Sequence, residues 1–215
     1  MITLFKLSER ITYMNIGIFG GAFNPPHKMH KEIAIELLEK NYVDKIIYVP
    51  TGNNYNKPGL LDGKHRINML NLMIDDYKEK ISVSDFEEKG NLHTLNTLNY
   101  FKEKYPKDEI FFICGTDNLN DFEKWYHYED ILANYKLLIV AREKNNFDDI
   151  ITKYEKYKDR IILSDVVMEK TSSTSIRKEI LENGFSANLS DVLDEKVIHY
   201  LENINIDDAW SKSKL

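Results

Sequence analysis

Short apolar runs alternate with longer amphipathic stretches along the chain, and this alternation restricts the fold more than any other feature of the sequence. Most of the runs are almost continuously apolar, which is typical of strands covered by helices on both faces. Repeated strand–helix–strand units form parallel sheets with right-handed crossovers. The sequence therefore predicts an α/β fold with a doubly wound parallel sheet, and the strands are expected at residues 15–19, 45–49, 80–83, 110–114, 136–140 and 160–163.

Three of the stretches between these runs carry apolar side chains at the spacing of an amphipathic helix. Because ligands of doubly wound sheets bind at the carboxyl ends of the strands, we expect the functional site in the loops that follow the strands. The predicted helical stripes are Ile33, Ala34, Leu37 and Leu38; Ile67, Leu70 and Ile74; and Leu95, Leu98 and Phe101.

A single domain is expected at residues 14–206, since 215 residues suit one medium-sized domain. Met14 directly precedes the first predicted strand, so residues 1–13 are interpreted as an N-terminal extension. The polar stretch 207–215 is interpreted as a frayed C-terminal tail.

The chain is acidic, with a formal net charge of -6 and an isoelectric point near 5.6. Duplex nucleic-acid binders usually carry a basic excess, so nucleic acid is not expected as a partner, whereas small phosphorylated substrates remain open. No apolar run approaches the roughly 20 residues that cross a bilayer, so no membrane partner is expected. The single cysteine, Cys114, is expected to be a buried apolar residue, which suits a cytoplasmic protein. A homo-oligomer is neither indicated nor excluded.

The segment after the first predicted strand combines features that suit a phosphate group. Gly20 and Gly21 permit backbone angles and close approaches that a Cβ atom forbids, so their N–H groups are able to face a phosphate. The prolines at positions 25 and 26 delay the helix, whose first turn then offers unpaired N–H groups to an anion. His27 and His30 lie on one face of that turn, where both can donate to one polyphosphate.

Commoner motifs do not fit this segment. The Walker loop G-x-x-x-x-G-K-[ST] is absent, the third glycine of the dinucleotide fingerprint is missing, and the zinc-protease motif H-E-x-x-H has a different spacing. The alternative without function is a tight Gly-Gly and Pro-Pro loop with exposed histidines. Each element fits that alternative alone, but their combination directly after the first strand favours a phosphate site.

A second group of hydroxyl side chains precedes Arg177 near the C-terminus. The hydroxyls of residues 171–175, which include Ser173 and Thr174, stand where a helix start needs side-chain oxygens to accept from its first N–H groups. With Arg177 they form a second candidate phosphate site. Taken alone, the segment is better explained by a helix N-cap and a surface arginine.

Together the two segments resemble the signatures G-G-x-F-[ND]-P-x-H-x-x-H and S-S-T-x-[IL]-R of the adenylyltransferase and cytidylyltransferase superfamily. The resemblance implies a Rossmann-like nucleotidyltransferase fold. It also implies that His27 and His30 bind the nucleotide phosphates and stabilise charge on the transferred α-phosphoryl group. Ser173, Thr174 and Arg177 would contact the β- and γ-phosphates of ATP.

From about residue 15 to residue 200 the chain is similar to bacterial nicotinate-nucleotide adenylyltransferases. Lys57 and Arg66 match the Pro-Pro-His-Lys element and the later arginine of that family, whereas Asn56 replaces its histidine. The family segment G-x-[ST]-Y-T-x-D-T-L, which lines the acceptor site, corresponds to residues 90–98. In that segment His93 replaces the tyrosine and Asn96 replaces the aspartate.

A further family segment, F-I-I-G-x-D-x-L followed by tryptophan, corresponds to residues 112–119 and Trp125. The resemblance implies that Asp117 lies near the ATP ribose and that Trp125 stacks on the pyridine ring, for which a flat indole is a suitable surface. Trp125 as an ordinary core residue is the alternative. Arg142 follows the next strand, as the family's arginine beside the adenine pocket does.

The resemblance implies transfer of the adenylyl group of ATP to nicotinate mononucleotide, which gives deamido-NAD and pyrophosphate in NAD biosynthesis. Mg²⁺ is expected to arrive with ATP, so no residue is assigned as a metal ligand. Other acceptors (nicotinamide mononucleotide or phosphopantetheine), CTP as donor, and a non-catalytic nucleotide sensor remain open. The assigned residues are His27, His30, Lys57 and Arg177 for catalysis; Gly20, Gly21, Ala22, Phe23, Gly115, Asp117, Arg142, Ser173 and Thr174 for ATP; and Asn24, His93, Thr94 and Trp125 for the acceptor.

Overall fold

A parallel sheet forms the centre of the computed structural model, which describes residues 13–54, 57–90, 93–141, 152–167 and 171–210. In these residues the sheet has six strands in the order β3-β2-β1-β4-β5-β6, and every neighbouring pair is parallel. All six predicted strands are confirmed, and β6 continues four residues beyond its predicted end. The strands are β1 (Asn15–Gly21), β2 (Lys45–Pro50), β3 (Ile81–Val83), β4 (Glu109–Gly115), β5 (Lys136–Ala141) and β6 (Ile161–Val167).

Helices cover both faces of the sheet. None of the helices in the described ranges is long and apolar enough to cross a membrane. Short 3₁₀ helices lie at Asp75–Tyr77, Phe122–Lys124 and Glu155–Arg160. The α-helices are α1 (Lys28–Glu39), α2 (Gly63–Met73), α3 (Thr94–Lys104), α4 (Thr116–Asn120), α5 (Tyr128–Asn134), α6 (Ser173–Asn183), α7 (Leu189–Val192), α8 (Glu195–Glu202) and α9 (Asp207–Trp210).

Two apolar cores lie on opposite faces of the sheet, because successive side chains of a strand point to opposite sides. In β4, Phe111 and Ile113 belong to one core, which α1, α2, α6 and α8 cover. Phe112 and Cys114 belong to the other core, which α3, α4 and α5 cover. Cys114 is 5% exposed, which confirms its prediction as a buried apolar residue, and burial raises the pKa of its thiol.

The stripe predicted for α1 is confirmed, and that of α2 is confirmed at Leu70 and Ile74, whereas Ile67 is only half-buried. Met69, Met73 and Arg66 of α2 also face the core. The guanidinium of Arg66 lies in the interior and bonds to backbone there. A charged residue at that position gave no apolar signal to the sequence pattern.

The expected fraying of the C-terminal tail is wrong for its first four residues. Residues 207–210 form α9, and Trp210 is 0% exposed within the core that α1 and α8 cover. A tryptophan has a large apolar surface to bury, which outweighs the polarity of its neighbours. Residues 1–12 of the N-terminal extension and the last residues, 211–215, lie outside the described part of the chain.

The sheet opens at the carboxyl ends of β1 and β4. The last residues that pair between these strands are Phe19 and Ile113. Beyond them β1 continues along β2 to Gly21, whereas β4 continues along β5 to Gly115. The chain also reverses its direction of winding between these two strands, which is the point where doubly wound sheets bind their ligands.

Candidate active site

A cleft of about 980 Å³ lies at this opening of the sheet. Ligand clefts of proteins usually measure roughly 300–1,000 Å³, so this cleft has room for a large ligand. It is lined by the segment after β1, by Thr51 and Gly52 after β2, by residues after β4, and by residues 171–174 at the start of α6. The fold therefore brings the two segments that the sequence singled out, which lie far apart along the chain, to one cavity.

Gly20 and Gly21 are the last two residues of β1 and do not adopt unusual backbone angles, so that part of the expectation is wrong. The left-handed angle of the segment belongs to Phe23, with φ of 47°. The expected close approach is present, because a Cβ atom on Gly21 would lie 3.0 Å from the ring of Phe23. Gly115 allows a similar approach, since a Cβ atom there would collide with the carboxylate of Asp117.

His27 and His30 lie side by side at the start of α1, with their ring centroids 3.7 Å apart. The backbone N–H of His27 donates to Nδ1 of His30 at 3.1 Å. A ring nitrogen that accepts a hydrogen bond carries no proton, so the proton of the neutral His30 ring resides on Nε2. His30 therefore caps α1 with one ring nitrogen and has its N–H donor on the other, while both histidines line the cleft.

An aromatic shell fixes the position of His30. Tyr48, which is 0% exposed in β2, donates its hydroxyl to the backbone carbonyl of His30 at 2.6 Å. The ring of Phe23 meets the His30 ring edge-on at 5.0 Å and also meets Tyr48 edge-on at 5.3 Å. Burial raises the pKa of Tyr48 above its ordinary value, so its hydroxyl is a donor at neutral pH. The imidazole is thus held before any ligand binds.

The start of α6 is bonded directly to the segment after β1. Ser172 is its N-cap, because its hydroxyl accepts from the N–H of Ser175 at 3.1 Å. The hydroxyl of Ser173 donates to the carbonyl of Pro25 at 2.9 Å. Thr171, Ser172, Ser173 and Thr174 all line the cleft. The two candidate phosphate segments are therefore joined by a hydrogen bond and line the same cleft.

Arg177 and Asn24 lie behind the cleft and are absent from its lining. Arg177 is 4% exposed, and its Nη1 donates to the carbonyl of Asn24 at 2.8 Å, so it is not the surface arginine of the alternative explanation. Burial lowers its pKa from the ordinary value. The amide of Asn24, which is 0% exposed, donates to the carbonyl of Gly59 at 2.7 Å and accepts from the N–H of Leu61 at 3.1 Å. The assignment of the Asn24 side chain to the acceptor is corrected accordingly: it connects two loops.

Arg66 is a second buried arginine that supports the cleft. It is 0% exposed, and its guanidinium donates to the carbonyl of Leu61 at 2.8 Å and to that of Ala22 at 3.1 Å. Longer bonds reach Thr51 Oγ1 at 3.4 Å and Asn53 Oδ1 at 3.3 Å. Burial lowers the pKa of Arg66 to about 10, which still leaves it charged at neutral pH. One side chain therefore connects the loops that follow β1 and β2.

Aromatic side chains from the segment after β4 and from the residue before α3 also line the cleft. Trp125 is half-buried, and its indole contacts Phe112 at 5.7 Å and Phe122 at 5.0 Å between ring centroids. His93, the residue before α3, stacks on Tyr126 with ring centroids 4.4 Å apart and an angle of 23° between the planes. Such offset stacks of flat rings are suitable neighbours for a heteroaromatic ring.

The remaining assigned residues line the cleft, with the exception of Arg142. Lys57 is exposed at the rim and lines the cleft, as do Thr94 at the start of α3 and the assigned residues that follow β1 and β4. Arg142 lies outside the described residues. Several residues of the lining were not assigned to the site from the sequence: Phe19, Thr51, Gly52, Glu87, Phe112, Cys114, Asn118, Asp121, Lys124, Tyr126, Thr171 and Ser172.

Comparisons with known proteins agree with this geometry. The sequence profile of the family described as cytidylyltransferase-like matches residues 18–179. A protein of Clostridium tetani, named as a probable nicotinate-nucleotide adenylyltransferase, is 32% identical over 86% of this chain and 94% of its own length. A protein of Caldicellulosiruptor bescii with the same name is 37% identical over 79% of this chain and 88% of its own length.

The chain belongs to the nicotinate-nucleotide adenylyltransferase family.

A solved structure agrees with the fold of this nucleotidyltransferase family. The nicotinic acid mononucleotide adenylyltransferase of Plasmodium falciparum, complexed with NaAD, is similar with a TM-score of 0.77. That similarity covers 92% of this chain and 98% of the other at 23% sequence identity, and it shows the fold alone.

The chain's two departures from the family's acceptor segment have different surroundings. His93 lines the cleft. Asn96 is exposed and does not line it. We therefore expect the histidine to be the departure that changes contacts with a ligand.

Proposed function

We propose that the protein transfers the adenylyl group of ATP to the phosphate of nicotinate mononucleotide, with deamido-NAD and pyrophosphate as products. The observation that carries this proposal is the bonding of the Ser173 segment to the His27 segment at a cleft that Trp125, Tyr126 and His93 also line. Hydroxyl, imidazole and helix N–H donors suit the polyphosphate of ATP. The flat rings suit a pyridine ring.

In this reaction a phosphate oxygen of the acceptor attacks the α-phosphorus of ATP. The bond between the α-phosphorus and the bridging oxygen to the β-phosphate breaks, and pyrophosphate leaves with the electron pair. The acceptor phosphate is already ionised, so the step requires neither a general base nor a covalent intermediate. Catalysis then consists of positioning and of stabilising the negative charge that spreads over the phosphates.

Donors placed before the reaction begins are suited to this role. Nε2–H of His30 and the ring of His27 are assigned to the α- and β-phosphates, and Lys57 to the polyphosphate. Ser173 and Thr174 are assigned to the β- and γ-phosphates. Arg177, which is bonded to the carbonyl of Asn24, supports this surface from behind. Such a fixed set of donors costs no reorganisation during the reaction.

Magnesium would enter with ATP. The described residues contain no group of three or more His, Cys, Asp or Glu side chains that could hold a metal ion, and Mg²⁺ is commonly bound by phosphate oxygens and water with one or two carboxylates. Asp117 and Asp121 line the cleft and are suitable carboxylates. The ion would neutralise charge on the phosphates, whereas the residues above determine their position.

The proposal is tested by pyrophosphate release from ATP with a panel of acceptors. Nicotinate mononucleotide, nicotinamide mononucleotide and phosphopantetheine differ in the group beyond the phosphate, and nicotinate mononucleotide is expected to give the highest kcat/KM. The parallel measurement replaces ATP by CTP, for which lower activity is expected. Binding of ATP without pyrophosphate release from any acceptor would instead indicate a nucleotide sensor.

A further inference from the structure

Glu87 is a cleft residue to which neither signature gives a role. It lies between β3 and α3, is half-buried, and lines the cleft together with His93 and Thr94. Its carboxylate accepts a hydrogen bond from the hydroxyl of Thr97 at 2.7 Å. Thr97 is 1% exposed and stands three residues after Thr94 on α3, so the carboxylate lies within about one helical turn of the part of α3 that lines the cleft.

The surroundings of this carboxyl group bring its pKa close to neutral pH. Desolvation raises the pKa of Glu87 to about 7, although the hydrogen bond from Thr97 and the charge of Arg66 both favour the ionised form. Arg66 is the charged group that faces it from α2, and its guanidinium is occupied by backbone carbonyls. Two other titratable side chains of the same cleft are His93, the residue before α3, and Tyr126, which stacks on His93. Both forms of Glu87 are therefore populated at neutral pH.

We propose that Glu87 is an acceptor-specificity residue whose carboxyl group faces the ring substituent of the pyridine nucleotide. This inference rests on the proposed function, because it requires a pyridine mononucleotide in the aromatic part of the cleft. An ionised carboxylate repels the carboxylate of nicotinate and accepts a hydrogen bond from the amide of nicotinamide. A protonated carboxyl group donates a hydrogen bond to nicotinate instead.

Two acceptors isolate this effect. Nicotinate and nicotinamide mononucleotides share the ribose, the phosphate and the ring, and they differ only in the substituent. Effects of the shared phosphate and of ATP therefore cancel in the ratio of their specificity constants. What remains in the ratio is the interaction of the protein with a carboxylate or with an amide.

The test is the ratio of kcat/KM for nicotinate to that for nicotinamide mononucleotide, measured from about pH 6 to about pH 8.5, across the titration of Glu87. If one acceptor is not turned over, its competitive inhibition constant replaces its specificity constant. For the wild type we expect the ratio to fall by roughly tenfold as pH rises. A tenfold change is the result expected if binding of the acceptor changes the pKa of Glu87 by about one. For Glu87→Gln, which retains an acceptor for Thr97, we expect a ratio that does not change with pH.

Glu88→Gln is the matched control, since it removes a neighbouring carboxylate and leaves Glu87 in place. It is expected to show the pH profile of the wild type. A flat ratio in the wild type, or a pH-dependent ratio in Glu87→Gln, would overturn the inference. If the carboxylate of Glu87 faces the ribose, both acceptors respond equally to its titration. The flat ratio that results would also overturn the inference.

Proton uptake provides a test that needs no variant. Calorimetric titration of the wild type near neutral pH, in two buffers with different ionisation enthalpies, gives the number of protons bound with each acceptor. More proton uptake is expected with nicotinate than with nicotinamide mononucleotide, and equal uptake contradicts the inference. Failure of the proposed function has a different signature, namely no pyrophosphate release with either acceptor at any pH.

Discussion

The two ring nitrogens of His30 have separate tasks, and a pair of substitutions is expected to separate them. Nδ1 accepts the N–H of His27 at 3.1 Å and caps α1, whereas Nε2 carries the proton for the phosphate. The amide of asparagine lies near the position of Nδ1, and the amide of glutamine lies near that of Nε2. His30→Asn should therefore retain the cap and lose the phosphate donor, and His30→Gln should do the opposite.

The expected magnitudes differ enough to be measured. A lost capping bond costs about 1 kcal/mol. For a chain of this size that loss lowers Tm by roughly 2–4 °C. A lost donor to the reacting phosphoryl group costs about 10²–10³ in kcat. We therefore expect His30→Asn to unfold at the temperature of the wild type and to lose most of its turnover. His30→Gln should unfold at a lower temperature and be the more active of the two variants.

Thermal unfolding and single-turnover formation of the dinucleotide measure the two quantities independently. His30→Ala removes both nitrogens and is the reference for the combined loss. The assignment of the nitrogens would be refuted if His30→Asn kept wild-type turnover, or if His30→Gln were no more active than His30→Asn.

Three further predictions concern the interior, the aromatic wall and the titration of one carboxyl group. Arg66→Met should lower the free energy of unfolding in urea by about 3 to 5 kcal/mol, because it removes several buried hydrogen bonds from a charged donor; a loss below about 1 kcal/mol would contradict this. Trp125→Ala should raise KM for the acceptor about tenfold, because a ring contact and apolar burial are lost, and it should leave KM for ATP within about twofold. Equal changes in both KM values would show that Trp125 is only a core residue. Stability of the wild type relative to Glu87→Gln should fall as pH rises from the ordinary pKa of 4.5 to about 7, because over that range the unfolded chain loses the proton that the folded protein retains. Urea unfolding at several pH values checks this, and a difference that rises with pH would be the wrong sign.

The strands and the phosphate segments could be predicted because their signals are local. A strand buried on both faces is an almost continuous apolar run, as residues 110–114 are, and this pattern does not depend on distant partners. His27 and His30 are three residues apart, which places them on one turn of any helix that includes them. The cap of α6 is local in the same way, because the hydroxyl of Ser172 accepts from the N–H of Ser175, three residues later.

The polar residues of the interior could not be predicted in this way. Arg66 is buried because two backbone carbonyls accept hydrogen bonds from it, one in the loop after β1 and one in the loop before α2. Its place in the sequence pattern is that of an exposed residue. Asn24 was assigned to the acceptor from its place in the signature, but its amide bonds to Gly59 and Leu61, which lie more than thirty residues away. Glu87 belongs to the cleft only because Thr97 and the cleft wall enclose it. In each case tertiary contacts determine the role of the side chain.

These buried polar groups have a common effect on the site. The loop after β1 has little regular secondary structure between Gly21 and Lys28, so its carbonyls need partners from elsewhere. Arg66 bonds to the carbonyl of Ala22, Arg177 to that of Asn24, and Ser173 to that of Pro25.

Long side chains from two different helices therefore fix the backbone that presents His27 and His30. Fixed donors contribute most to phosphoryl transfer, because they require no reorganisation as charge develops. A substitution in this supporting layer should consequently lower stability and turnover together, whereas His30→Asn should lower turnover alone. That contrast distinguishes residues that position the site from those that contact the reacting phosphate.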